Sequence, residues 1–150
     1  AQMAARDGRR YADVLTDAPM NDIIDEVKES GATASMLIVP PQSSFHCVDV
    51  IESGPHAGAV TGITPVSRLP IWENGGYFVL SGAVLEMLTE NCDLVEDVCG
   101  RLATRGKLYG YKHLGFWKPA DTFKERAELD AAYRSGERPW ALWEHEKAAS

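Results

Sequence analysis

Apolar residues recur along this chain at two spacings, and the spacing changes from one segment to the next. Met20, Ile23, Ile24 and Val27 fall three and four apart, which predicts a helix opening after Thr16-Asp17-Ala18-Pro19 and stopping at Ser30-Gly31. Asp17 is the expected cap, and Pro19 is tolerated in a first turn. The run Ala34-Ser35-Met36-Leu37-Ile38-Val39, closed by Pro40-Pro41, predicts a buried strand. Cys47-Val48-Asp49-Val50-Ile51 alternates, turn residues follow from Ser53 to Gly58, and Ala59-Val60-Thr61-Gly62-Ile63 returns, as in a hairpin. Ile71 to Leu80 carries Asn74-Gly75-Gly76 ahead of Tyr77-Phe78-Val79-Leu80. Such a glycine pair serves close approach of backbone to a ligand, or equally a bulge or turn.

Further on, Ala83 to Leu88 reads as a short helix and Leu94 to Thr104 as another, with Leu94, Val95, Val98 and Leu102 at helical spacing and a stop at Gly106. Lys107 to Tyr111 reads as a strand, and a short one is expected at Tyr11 to Leu15. Phe123 to Arg134 is the last helix, ending at Ser135-Gly136, and Trp140 and Trp143 follow as apolar anchors. Strands alternate with helices, so the class is α/β. The expected organisation is a flexible stretch over residues 1–10, a single domain over 11–143 and a polar tail over 144–150.

Bulk properties narrow the function classes. A chain of 150 residues is long enough for one domain with a core, and a formal charge of −7 argues against binding nucleic acid through its phosphates. An anionic small ligand would need a local cationic cluster or a divalent cation. No apolar run approaches the roughly 20 residues of a membrane span, and the N-terminus has no signal-peptide core, so a cytoplasmic location without membrane partners is expected. Cys47, Cys92 and Cys99 are odd in number and lack a Cys-x-x-Cys pair, so they read as reduced thiols.

The densest chemistry lies between Tyr109 and Thr122, where three further aromatics or ring bases, His113, Phe116 and Trp117, precede Asp121 at the start of a helical pattern. Asp121 and Thr122 suit a helix cap; a carboxylate at that junction also suits a metal, and the two roles are compatible. Asp13 stands at the end of the other short strand. A pair of oxygen ligands from different strand ends is how α/β enzymes hold magnesium against a phosphate. There is no Gly-rich phosphate loop, nucleophile elbow or His-Glu-x-x-His.

Several segments, in order, resemble one family. Tyr11-Ala12-Asp13 with Leu15-Thr16-Asp17, Asn74-Gly75-Gly76-Tyr77-Phe78-Val79-Leu80, Leu94-Val95-Glu96 with Arg101-Leu102, Gly115-Phe116-Trp117 with Asp121-Thr122, and Gly136 with Pro139-Trp140 are similar to the C-terminal part of the sugar-1-phosphate nucleotidylyltransferases, especially the glucose-1-phosphate cytidylyltransferase branch. The resemblance implies a Rossmann-like mixed sheet with flanking helices. It implies that Asp13 and Asp121 are catalytic ligands of Mg2+, and that Asn74, Gly75, Glu96, His113 and Trp117 lie along a sugar-phosphate pocket. Arg68 would stand in for the lysine that meets the sugar phosphate in that family. The family's Gly-rich nucleotide loop, with its Arg and Lys, is missing from this sequence. The expectation is therefore a truncated homologue that keeps the sugar and metal half of the site and is not competent alone for nucleotidyl transfer. The alternative is a small-molecule-binding protein, or an enzyme of specialised metabolism, that reuses the sugar pocket for a derived metabolite. Either form leaves a sheet edge open, so a homo-oligomer or a partner chain is expected to cover it.

Overall fold

A computed structural model describes residues 13–144. The flexible start expected over residues 1–10, Tyr11 and Ala12 of the first strand, and all of the polar tail beyond Glu144 lie outside the described residues. Inside them run β1 (Val14–Thr16), α1 (Met20–Ser30), β2 (Ala34–Val39), β3 (His46–Val50), β4 (Val60–Pro65), β5 (Glu73–Leu80), α2 (Gly82–Leu85), α3 (Gly100–Thr104), β6 (Leu108–Lys112), β7 (Trp117–Pro119) and α4 (Phe123–Ser135). This is the mixed α/β architecture expected from the alternation of periods.

The apolar run of β2 makes it the central strand of a three-stranded sheet, antiparallel to β5 on one side and parallel to β6 on the other. Ala34, Ser35, Leu37 and Val39 are all buried, as a strand covered on both sides at one end requires. Two core clusters divide its length. At the Val39 end, Leu37 and Val39 pack with Ala18 and Ile23, and Tyr77, Tyr111 and Trp117 close around them. At the Ala34 end, Val84, Val98 and Leu102 pack on Ala34, with Leu80 and Leu108 beside them. Ser35, fully buried, donates its hydroxyl to Glu26 of α1 at 3.1 Å, which satisfies it.

Three local expectations are corrected. Asp17 does not cap α1: Pro19 occupies the N-cap without any side-chain bond, and it is Thr16 whose hydroxyl accepts from the Ala18 amide at 3.1 Å. At α4 the cap is Thr122 alone, in a reciprocal capping box with Glu125, while Asp121 is left outside it and exposed. The helix expected from Leu94 to Thr104 begins as a π turn, Leu94–Cys99, before α3. Leu94, Val98 and Leu102 recur every fourth residue, wider than the α period, and the wide turn keeps all three on the Ala34 cluster. Asp93 caps that turn by accepting from the Val95 and Glu96 amides.

Two ribbons complete the fold. The hairpin β3–β4 is amphipathic: Val48 pairs with Ile63 and Val50 with Val60 on one face, and every residue of β3 is exposed. The second ribbon pairs β1 with β7 antiparallel, Val14 opposite Pro119, Leu15 opposite Lys118 and Thr16 opposite Trp117. Among the described residues the outer edges of β5 and β6 are unpaired.

Candidate functional site

The β1–β7 ribbon brings the backbone of the two expected metal ligands to one of its ends. Beyond the Val14–Pro119 pair the Ala120 amide donates to the Asp13 carbonyl, so Asp121 follows directly on the residue bonded to Asp13. Both carboxylates are exposed. Among the described residues no group of three or more His, Cys, Asp and Glu side chains converges. Two exposed carboxylates at one ladder end therefore make no all-protein cage, but they fit magnesium, which is commonly held by one or two carboxylates and completed by water and substrate phosphate.

A bulge in β5 anchors the ribbon. Met36 lies opposite Phe78 and Ile38 opposite Asn74, so Leu37 alone faces Gly75, Gly76 and Tyr77. Gly76 has φ of 81°, a conformation that costs other residues energy, and the Asn74 side chain accepts from its amide at 2.9 Å. Gly75 is buried against Leu37, where a Cβ would come within 3.0 Å of its side chain. The bulge thereby presents two groups to the ribbon: the Gly75 carbonyl accepts from the Trp117 indole at 2.8 Å, and the Tyr77 hydroxyl donates to the Val14 carbonyl at 2.8 Å. Burial raises the Tyr77 phenol above its ordinary pKa, so it remains the donor at neutral pH. Asn74, Gly75 and Trp117 are thus linked at the bulge through bonds to the backbone that the sequence pattern did not reveal.

His113 sits at the opposite end of the ribbon, 8% exposed. Its Nε2 lies 3.2 Å from the Phe116 carbonyl and 2.9 Å from Asp17 Oδ1. The ring N–H is aligned on the carbonyl, and the buried Asp17 Oδ1 receives no hydrogen bond despite its closeness. The same Phe116 carbonyl accepts from the Thr16 hydroxyl at 2.8 Å and the Asp17 amide at 3.1 Å. Gly115 leaves no space here: a Cβ would meet Asp17 Oδ1 at 2.6 Å and His113 Cε1 at 2.7 Å. The sequence reading missed Asp17 in this role because the local rule for a helix start absorbed it. The signal was a glycine two positions after a histidine, in a turn too short to fill with side chains.

The remaining expected residues lie elsewhere. Glu96, exposed on the π turn, lines a shallow hollow of about 540 Å³ with Asp97, Arg101, Thr89 and Thr104, at the Ala34 end of β2 and away from Asn74 at the Ile38 end. Arg68 is exposed on a single 3-10 turn between β4 and β5. One cation escaped notice: Lys112 pairs with Ile38, the residue that Asn74 pairs on the other side, so the two flank one position across the sheet. Lys112 lies 5.3 Å over the Trp72 ring.

A mixed sheet flanked by helices, with Asp13 and Asp121 near one end of the β1–β7 ladder, defines an α/β domain. No protein-family model matches the chain. Individual proteins do. The glucose-1-phosphate cytidylyltransferase of Salmonella typhimurium is 29% identical over 136 residues, covering 89% of this chain and 51% of that protein. The probable glucose-1-phosphate cytidylyltransferase of Bacillus subtilis is 30% identical over 135 residues with the same coverage. A Bacillus anthracis crystal structure, described as a glucose-1-phosphate thymidylyltransferase in complex with sucrose, superposes with a TM-score of 0.53 at 14% identity, over 81% of this chain and 52% of that one. The chain spans about half the length of the curated relatives it matches. Over that half it is similar in sequence to these sugar-1-phosphate nucleotidylyltransferases and shares the Rossmann-like mixed α/β fold of the solved one.

Proposed function

We propose that this chain forms the sugar-phosphate and metal half of a sugar-1-phosphate nucleotidylyltransferase site. The observation that supports the proposal is the backbone bond from Ala120 to Asp13, which sets Asp121 one residue beyond the ladder partner of Asp13 although the two lie near opposite ends of the sequence. Magnesium held between those carboxylates would neutralise phosphate oxygens at the reacting centre. Asn74 spends its side-chain oxygen on the Gly76 amide, which leaves its NH2 group to donate to a sugar hydroxyl. Trp117 spends its N–H on Gly75 and offers its ring face, and Lys112, which flanks Ile38 opposite Asn74, and Arg68 are the cations assigned to a sugar phosphate.

Calorimetric titration with α-glucose 1-phosphate and magnesium tests this. Binding is expected only with both present, and Asp121→Asn is expected to weaken it about tenfold or more while thermal stability stays near that of the parent, because Asp121 makes no capping bond. Equal affinity in Asp121→Asn and the parent would sink the proposal.

Self-association belongs to the same reading. The exposed apolar face of the hairpin and the unpaired outer edges of β5 and β6 support a second copy or partner chain at that surface. Sedimentation as a monomer across a hundredfold concentration range would count against it.

A further inference from the structure

We infer that Asp17 and His113 are positioning residues for the Asp13–Asp121 pair, acting from the far end of the β1–β7 ribbon. The inference rests on the site reading above and assigns His113 a different part in it: the ring is buried and turned to protein groups rather than open to a ligand.

The geometry joins three segments at one point. His113 directly follows β6, and its amide donates to the Ile38 carbonyl at 2.9 Å, which fixes it to the central strand. Thr16, which ends β1, and Asp17, which follows it, send a hydroxyl and an amide to the carbonyl of Phe116, the residue just before β7. His113 Nε2 adds a third donor to that carbonyl and lies against the Asp17 carboxylate. Gly115 allows the close approach. A ribbon with three residue pairs has little rigidity of its own. Its direction is set by what holds its ends and middle: Trp117 on Gly75 and Tyr77 on Val14 along its length, and the Asp17–His113–Phe116 junction at its base. The other end carries the Asp13 carbonyl, the Ala120 amide and Asp121, and α4 steadies it from outside through Arg126, which donates to the Ala120 carbonyl at 2.8 Å, and through the Lys118–Glu128 bond. Loosening the base lets that end wander, and a pair of carboxylates that wanders binds a small, geometrically demanding cation poorly.

The test is amide and indole hydrogen exchange on the whole chain, with manganese titration alongside as a stand-in for magnesium. In His113→Ala the Ala120 amide and the Trp117 indole are expected to exchange about tenfold faster relative to the amides of β2, and manganese affinity to fall about tenfold. His113→Gln, which keeps an N–H donor, is expected to recover part of both. Val98→Ala, in the other core cluster, lowers global stability and should leave the ratio of Ala120 to β2 exchange unchanged. Should His113→Ala fail to fold, Asp17→Asn carries the test with a smaller change of the same sign. An unchanged ratio in the His113 and Asp17 variants, or glutamine no better than alanine, overturns the inference. A parent chain that ignores manganese while the exchange ratio responds removes the metal reading and leaves the positioning role standing.

Discussion

Trp117 and Gly75, 42 positions apart in sequence, are joined by an indole N–H donating to a backbone carbonyl at 2.8 Å. That bond ties the ribbon bearing Asp121 to the bulge bearing Asn74, so one interaction sets the distance between the two parts of the candidate site. Trp117→Phe keeps most of the ring and removes the donor, leaving the carbonyl of buried Gly75 without its partner. An unpaired buried carbonyl costs about 1–3 kcal/mol. Urea denaturation should show a loss in that range with an unchanged dependence on urea. No loss would mean that water replaces the indole and that the clamp is not dry.

Gly115→Ala should be costly for a different reason. The added methyl would meet Asp17 Oδ1 at 2.6 Å and the His113 ring at 2.7 Å, and both groups are held from several sides. Overpacking of this kind costs about 1–3 kcal/mol. Gly100 is the contrasting case, since the nearest atom to its Cβ is 4.0 Å away and it lies in a helix. Gly100→Ala should raise stability, by up to about 1 kcal/mol. Thermal unfolding of the two variants should therefore move in opposite directions.

If Asp13 and Asp121 share one ion, their substitutions cannot act independently. Asp13→Asn and Asp121→Asn should each weaken manganese binding about tenfold or more, and the double variant should be little weaker than the poorer single one. Additive losses from the two singles would place the carboxylates at separate ions.

The elements built from local spacing were legible in the sequence: α1, β2, the hairpin, β6 and α4 stand within a residue or two of where the apolar period put them. What the sequence hid has a common cause. The register of β1 on β7 pairs residues about a hundred apart, over three positions that include Pro119, too few to show a period. Asp17 obeys a helix-start rule locally, yet its partner is His113, and nothing within four residues of either announces the other. The π turn looked helical because its hydrophobic spacing is helical to within half a residue per turn. Glu96 was grouped with the sugar pocket through the family resemblance, whereas the fold sets it in a separate hollow at the other end of β2.

The capping box of α4 gives a pH dependence with a definite sign. The Thr122 amide and hydroxyl bond the Glu125 carboxylate and hold its pKa below the ordinary value of 4.5, with a smaller push from Lys118. A carboxyl lowered in the folded state adds stability that is fully present above the unfolded value and is lost as pH falls through the folded one. Thermal stability should therefore drop as pH falls below about 4.5, the helix end fraying first. Glu128, lowered by its bond to Lys118 and then by that charge, contributes in the same direction. Glu125→Gln separates the two, because glutamine can still bond the Thr122 amide but does not titrate. At pH 7 the variant should melt close to the parent, and between pH 5 and 3 its midpoint should fall less steeply. A parallel fall would assign the acid sensitivity to other carboxylates, and Thr122→Ala, which removes the cap at a cost of about 1 kcal/mol, should then lower both curves equally at every pH.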